Sequence, residues 1–406
     1  MEFNTYTLKN GIRIIHKSEK SEVGYCGIII NAGSRDEEEE EHGMAHFIEH
    51  VIFKGTKKRK AFHVLSRLED VGGELNAYTT KEETCIYASF LKEDYERSME
   101  LIADISFHSI FPEKELEKEK EVIIDEINSY KDSPAELIFD DFEELLYPNH
   151  PIGRNILGEA KRLKKFTKND ILKFINKNYH TDQIVFCSVG SQSFKKVIKL
   201  AEKYFGDIPE NRRVCKREDI PASKPSIIKT DKDTYQSHII IGSTAYDYNH
   251  PKRLGLHLLN NLLGGPGMNS RLNMCLREKR GIAYNIESSY TPLYGTGVFS
   301  IYWGTDRKNV EKSLKIVFNE LNKLRTQELG SMQLHKAKRQ LKGQIAISSE
   351  NRENLMLNIG KSHLLYNKVD SLTEVYHKID QLTSSDLLDI ANETFNPDNL
   401  SQLIYL

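Results

Sequence analysis

The chain has 406 residues, long enough to bury more than one hydrophobic core, so two domains are expected. Apolar residues make up 39% and charged residues 29%, the balance of an ordinary soluble globular protein. A formal net charge of -2 excludes the strong single-sign field that draws proteins to nucleic acid or anionic membrane, and no apolar run approaches bilayer length.

The N-terminal MEFNTYTLKNGIRIIHK carries no secretory pattern, and the five cysteines (Cys26, Cys85, Cys187, Cys215, Cys275) include no C-x-x-C pair. Both features fit reduced thiols in a cytoplasmic protein. In chain order, residues 12–16 and 24–31 read as strands. AGSRDEEEEEHG follows, and its glutamates 37–41 read as a solvated loop. Residues 42–53 and 62–71 read as helices, 84–91 as a strand, and 95–107 and 112–130 as helices. LNAYT, residues 75–79, precedes the third strand and reads as an open edge to which an extended peptide could add. Strand signals without a helix between each pair imply a largely antiparallel sheet with helices on one side, an α+β fold.

The pattern is then written a second time. TKNDILKFINKNYHTDQIVF from Thr167 and TSSDLLDIANETFNPDNLSQ from Thr383 agree at a constant offset of 216, matching Asp170 with Asp386 and Tyr179 with Phe395. The strand-like GIIIN from Gly27 likewise matches HIIIGS from His238. Proline- and charge-rich sequence separates the halves. Two duplicated domains are therefore expected at 1–208 and 226–406, joined by a linker over 209–225.

The chemistry concentrates in HGMAHFIEHVIFKG, from His42. Phe47, Ile48, Val51 and Ile52 are spaced for burial on a helix. His46 and His50 stand four apart, so both imidazoles leave one face and can bind one Zn²⁺. Glu49 is poorly placed as a ligand from the same turn and better placed to take a proton from a water held there. His42 sits four before His46 and reads as the helix start rather than a ligand. A catalytic site wants a third protein ligand and an open position. PEKELEKEKEVIIDEINSY, from Pro112, offers Glu119 and Glu126 two turns apart on one face, and the pattern alone does not choose between them.

The second half serves as a control. HLLNN from His257 lies against HFIEH from His46, so Glu49 and His50 meet Asn260 and Asn261. At an offset of 218, Glu126 meets Gln344 and Glu119 meets Ala337. Amides are neither general bases nor good zinc ligands. Metal is therefore expected in the first half only, one Zn²⁺ per chain.

HFIEH with a distant glutamate resembles the inverted H-x-x-E-H motif of the pitrilysin-like zinc metallopeptidases. NAGSRDE, FKGT and GGELNAYTTKEET are similar to that family too, and the length resembles its short dimeric type, which includes mitochondrial processing peptidase. In the family the third ligand lies 76 residues past the second histidine, which selects Glu126 here and leaves Glu119 as its support. The resemblance also implies that Arg277 and Tyr284, in LREKRGIAY, bind the substrate backbone and carbonyl. They would act from the opposite half of a homodimer or of a heterodimer with a paralogue. It further marks Asn76 and Ala77 as substrate-edge residues. Lys81, Glu82 and Glu83 fall in a variable part of the pattern.

The function so implied is a zinc endopeptidase acting on unfolded peptides or oligopeptides, with no nucleic-acid or membrane partner. Two rivals differ in class. One is a non-catalytic scaffold or partner subunit, against which the intact HFIEH and Glu126 argue. The other is a zinc hydrolase acting on a small molecule.

Overall fold

A computed structural model describes residues 3–406, apart from 215, 219, 221–223 and 233. The chain divides into two compact units. Unit 1 comprises residues 1–128, 154–216 and 347–371, and unit 2 comprises 129–153, 217–346 and 372–406.

Unit 1 is built on six strands: β1 (Asn4–Thr7), β2 (Arg13–Ser18), β3 (Val23–Ile30), β4 (Glu74–Thr79), β5 (Thr84–Leu91) and β6 (Ile184–Gly190). Their order is β1-β2-β6-β3-β5-β4. Among the described residues only β2 and β6 of this sheet pair in parallel. One face carries α1 (Met44–Val51), α2 (Ala61–Glu69), α3 (Tyr95–His108) and α4 (Glu113–Lys131), which share a core with Ile28, Ile30, Ile86 and Phe186. The other face, with Ile29, Cys85 and Cys187, is covered by the helix Arg352–Tyr366 through Leu355, Met356 and Ile359. β6 is consequently buried along its whole length, which explains its unbroken apolar run.

Unit 2 repeats the plan with β7 (Ile227–Thr230), β8 (Ser237–Thr244), β9 (Ala283–Leu293), β10 (Thr296–Thr305) and β11 (Ser401–Tyr405), ordered β7-β11-β8-β10-β9. Its one parallel pair, β7 with β11, occupies the place of β2 with β6. The helix Arg253–Gly264 packs on one face, and α5 (Pro134–Leu146) covers the other through Ile138, Phe142 and Leu146.

The α+β class and the largely antiparallel sheets agree with the sequence reading. Two expectations need correction. Helices cover both faces of each sheet rather than one. The units are also not contiguous halves: α5, from within 1–208, belongs to unit 2, and Arg352–Tyr366, from within 226–406, belongs to unit 1. The physical reason is shared. A sheet buried on both faces needs a second helical layer, and each layer here comes from the other half of the sequence. Part of the expected linker, Cys215, Asp219 and 221–223, lies outside the described residues. The other four cysteines are free and buried. Among the described residues no helix is long and apolar enough to cross a membrane.

Candidate metal centre

Helix α1 begins at an unusual N-cap. Gly43 has φ 97°, a left-handed value, and a Cβ there would meet the Gly158 Cα at 2.9 Å. His42 precedes the helix, and its Nε2 lies 2.7 Å from the Asn155 carbonyl, so it is occupied away from the metal-binding face. Met44, Phe47, Ile48 and Val51 are fully buried, which fixes the rotation of α1 and sends His46, Glu49 and His50 to the remaining side.

On α4, the buried stripe Leu116, Glu119, Lys120, Ile123, Ile127 has helical spacing. That stripe carries Glu119 toward α1, while Glu126, just before Ile127, is exposed and stands beside the same helix. The His46 Nε2 lies 3.8 Å, and the His50 Nε2 3.5 Å, from the Glu126 Oε2. The imidazole planes are inclined at 70°, so the rings converge by their edges rather than stack. Ligand atoms of His46, His50 and Glu126 all lie within 4.8 Å of one another, and they form the one such metal-capable group among the described residues. Tetrahedral zinc with bonds of about 2.0–2.1 Å would set its donors roughly 3.4 Å apart, close to the 3.5 Å and 3.8 Å separations here.

Glu119 stands behind this group. Its Oε2 lies 3.3 Å from the His50 Nδ1, and its Oε1 lies 2.6 Å from the Lys54 Nζ. A carboxylate on Nδ1 fixes the tautomer that presents Nε2 outward. Burial, and next the neighbouring His50, lower the His46 pKa to about 4, so His46 is a neutral imidazole with a lone pair at neutral pH. Burial raises the Glu49 carboxyl above its ordinary value, with Thr79 and His50 pulling the other way. A carboxylate so raised is a better proton acceptor.

The LNAYT segment lies in a strand, β4, at the sheet edge, where among the described residues it pairs only with β5. Asn76 sits opposite Tyr87, and Ala77 opposite Ile86. Lys81, Glu82 and Glu83, uninformative in the sequence, are buried. Glu82 forms a 2.6 Å ion pair with Arg35, and Glu83 meets Lys361 at 3.1 Å. These contacts anchor the turn between β4 and β5.

In unit 2, Arg277 lies on a π-helical stretch, Asn273–Glu278, beside Glu278. Tyr284 lies near the start of β9, an edge strand whose register slips against Trp303 and Thr305. Such a bulge re-aims side chains, and the Tyr284 ring is 70% exposed. His257 occupies the place of His46 but packs on Tyr290, with ring centroids 4.6 Å apart.

One expectation about the glutamate run is overturned. Glu38, Glu39 and Glu40 are solvated, but Glu37 and Glu41 are buried. The Glu37 carboxylate accepts hydrogen bonds from the Gly43 N–H at 3.0 Å and the Ala45 N–H at 2.8 Å. A side chain that caps a helix from six residues upstream leaves no local motif. The usable signal was negative: the helix start offers no Ser, Thr, Asp or Asn as its own cap.

Fold and site together define a duplicated α+β protein in which one copy brings an H-x-x-E-H helix against a carboxylate-bearing helix. Residues 13–160 match the insulinase (peptidase family M16) profile, and 165–341 match that of the peptidase M16 inactive domain. The chain is 32% identical to the uncharacterised zinc protease YmxG of Bacillus subtilis, over 98% of this chain and 97% of that protein. It is 31% identical to the mitochondrial-processing peptidase subunit beta of Mus musculus, over 92% of this chain and 78% of that one. The crystal structure of a protease from Helicobacter pylori superposes with a TM-score of 0.93 at 24% identity, covering 100% of this chain and 99% of the other. The chain belongs to peptidase family M16.

Proposed function

We propose that the protein is a zinc endopeptidase that hydrolyses extended, unfolded peptides, with one Zn²⁺ held by His46, His50 and Glu126. The observation that carries this reading is the convergence of those three donors beside Glu49. Two relatives bear it company: one is named a zinc protease and one a processing peptidase. A bound Zn²⁺ would supply the Lewis acidity that makes water nucleophilic near neutral pH.

The chain's own residues do the rest. Glu49 accepts the proton of the attacking water and returns it to the leaving amine. Glu119 keeps His50 in one tautomer. Asn76 and Ala77, on the β4 edge, hold an extended backbone by main-chain hydrogen bonds, which favours breadth over sequence selectivity. Arg277 and Tyr284 bind the substrate backbone and the developing oxyanion, supplied by a second chain, either a copy of this one or a paralogue.

The test is metal analysis of the purified protein beside cleavage of an unstructured peptide, with and without chelator. Stoichiometric zinc and chelator-sensitive cleavage that Glu49→Gln abolishes support the reading. Cleavage that survives in Glu49→Gln refutes it. For the second chain, a mixture of Glu49→Gln and Tyr284→Phe proteins should regain activity that neither has alone. No recovery on mixing counts against a shared site.

A further inference from the structure

The first turn of α1 has an unmet requirement. The first four N–H groups of a helix lack partners within it. An ordinary N-cap residue meets part of that need with a side-chain oxygen from extended backbone. Gly43 has neither, since its φ is 97° and it has no side chain. The close approach of Gly158 keeps any other residue out. The acceptor must come from elsewhere, and it must reach a site that water does not enter.

We propose that Glu37 is the positioning residue for the metal centre, acting by clamping the helix turn that carries His46. Its two oxygens are divided between the Gly43 and Ala45 N–H groups, two of the four unpartnered donors. His46 is the third residue of α1, immediately after Ala45, so the clamped turn is the one from which the first imidazole projects. The side chain itself gives little help, because the His46 Nδ1 is buried without a hydrogen-bond partner. His50 is oriented by Glu119, but among the described residues no carboxylate meets the His46 Nδ1, and His46 takes its direction from the backbone beneath it. The two imidazoles are therefore fixed by different means, one through Nδ1 and one through the helix cap. Glu37 is 2% exposed, so no solvent molecule can replace it readily. Burial pushes the Glu37 carboxyl up to about 8, with the Ala45 and Gly43 N–H groups and Arg154 pulling the other way, so the clamp rests on the geometry of its two oxygens rather than on a full charge.

This inference rests on the zinc-peptidase reading. The test is zinc affinity, by competition with a chromophoric chelator, for the parent protein, Glu37→Gln and Glu41→Gln. Gln keeps the size of Glu but turns one acceptor into a donor that faces an N–H. Glu37→Gln is expected to bind Zn²⁺ about 10–100-fold more weakly, the range usual for residues supporting a ligand. The visible absorption of its Co²⁺-loaded form is expected to change as well. Glu41→Gln is the control. Glu41 is buried in the same loop, and the hydrogen bond that its carboxylate accepts comes from the Glu38 N–H rather than from α1, so its loss should leave zinc affinity close to that of the parent. Far-ultraviolet circular dichroism and the urea midpoint report whether each variant folds. Parent-like zinc affinity and cobalt spectrum in folded Glu37→Gln overturn the inference. Equal weakening in both variants overturns it too, because general loosening of the loop would then suffice. A parent protein that binds no zinc at all overturns the peptidase reading itself.

Discussion

Replacing Glu119 with Gln isolates one charge. The carboxylate sits 3.3 Å from the His50 Nδ1 and 2.6 Å from Lys54, with its side chain only 12% exposed. Gln preserves shape and retains an oxygen that can accept from Nδ1–H, so His50 keeps its tautomer. The variant loses the negative charge that makes the imidazole a stronger donor to a cation. Outer partners of this kind contribute about 10–100-fold in metal affinity, or roughly 1.4–2.8 kcal/mol. The low exposure places the expectation well above that for a surface ion pair, at about 0–1 kcal/mol. The assay is chelator competition at fixed pH and ionic strength, with Lys54→Met in parallel. Lys54→Met leaves the carboxylate on His50 and should bind zinc much as the parent does. Unchanged affinity in Glu119→Gln would refute the reasoning. So would an equal loss in both variants, since the ion pair rather than the His50 contact would then matter.

Three further outcomes are expected. Glu49→Gln should lower peptide hydrolysis by about 10²–10⁴-fold or more while zinc content stays near that of the parent, because a general base is removed and no ligand is; metal loss in this variant would contradict the role. Gly43→Ala should destabilise the fold by about 1–3 kcal/mol or more, since φ is 97° and the new Cβ meets backbone at 2.9 Å; an unshifted urea midpoint would refute this. His363 is 5% exposed, and burial, followed by Arg13, lowers its pKa to about 4. The folded state then takes up a proton less readily than the unfolded one at about 6.5, so the His363 contribution is complete above that pH and is lost as pH falls toward 4. The difference between parent and His363→Gln in unfolding free energy should shrink across that window by about 1–2 kcal/mol once solvent screening of this part-buried ring is allowed for, and a constant difference would refute the assignment.

Much of the site was legible because its chemistry and its helical period coincide. His46, Glu49 and His50 had to share one side of a helix once Phe47, Ile48, Val51 and Ile52 claimed the other. Glu119 and Glu126 were tied for the third position because they project alike from α4. The choice needed the spacing of a known family, and in the structure Glu126 is the one near both Nε2 atoms. The edge at Asn76 and Ala77 was legible from its position before a strong strand. Other features were hidden because they are long-range. Glu37 reaches past its own loop, and Arg35 finds Glu82 in the neighbouring connection between β4 and β5, 47 residues on. The second faces of the two sheets were hidden for the same reason. β6 and β10 announce burial on both sides by continuous apolar sequence, yet nothing local says that the covering helix comes from the other half of the chain.

The duplication separates what folding requires from what chemistry requires. Thr167 and Asp170 form a capping box with reciprocal hydrogen bonds, and Thr383 and Asp386 form the same box 216 residues later. Strand order and the position of the parallel pair are kept as well. Unit 2 thus builds the matching five strands and their helices with Asn260, Asn261, Ala337 and Gln344 where unit 1 has Glu49, His50, Glu119 and Glu126. The ionisable set of unit 1 is consequently not needed to make this fold. It is also costly to keep: the His46 Nδ1 is buried without a partner, and Glu49 is held in surroundings that disfavour its charge. Groups that a fold can do without, and that it keeps against their own solvation, support the proposed function, in which a cation would sit against the Nε2 edges of His46 and His50. His257 shows the alternative, since without a second imidazole or a carboxylate beside it that ring packs on Tyr290 as an ordinary aromatic.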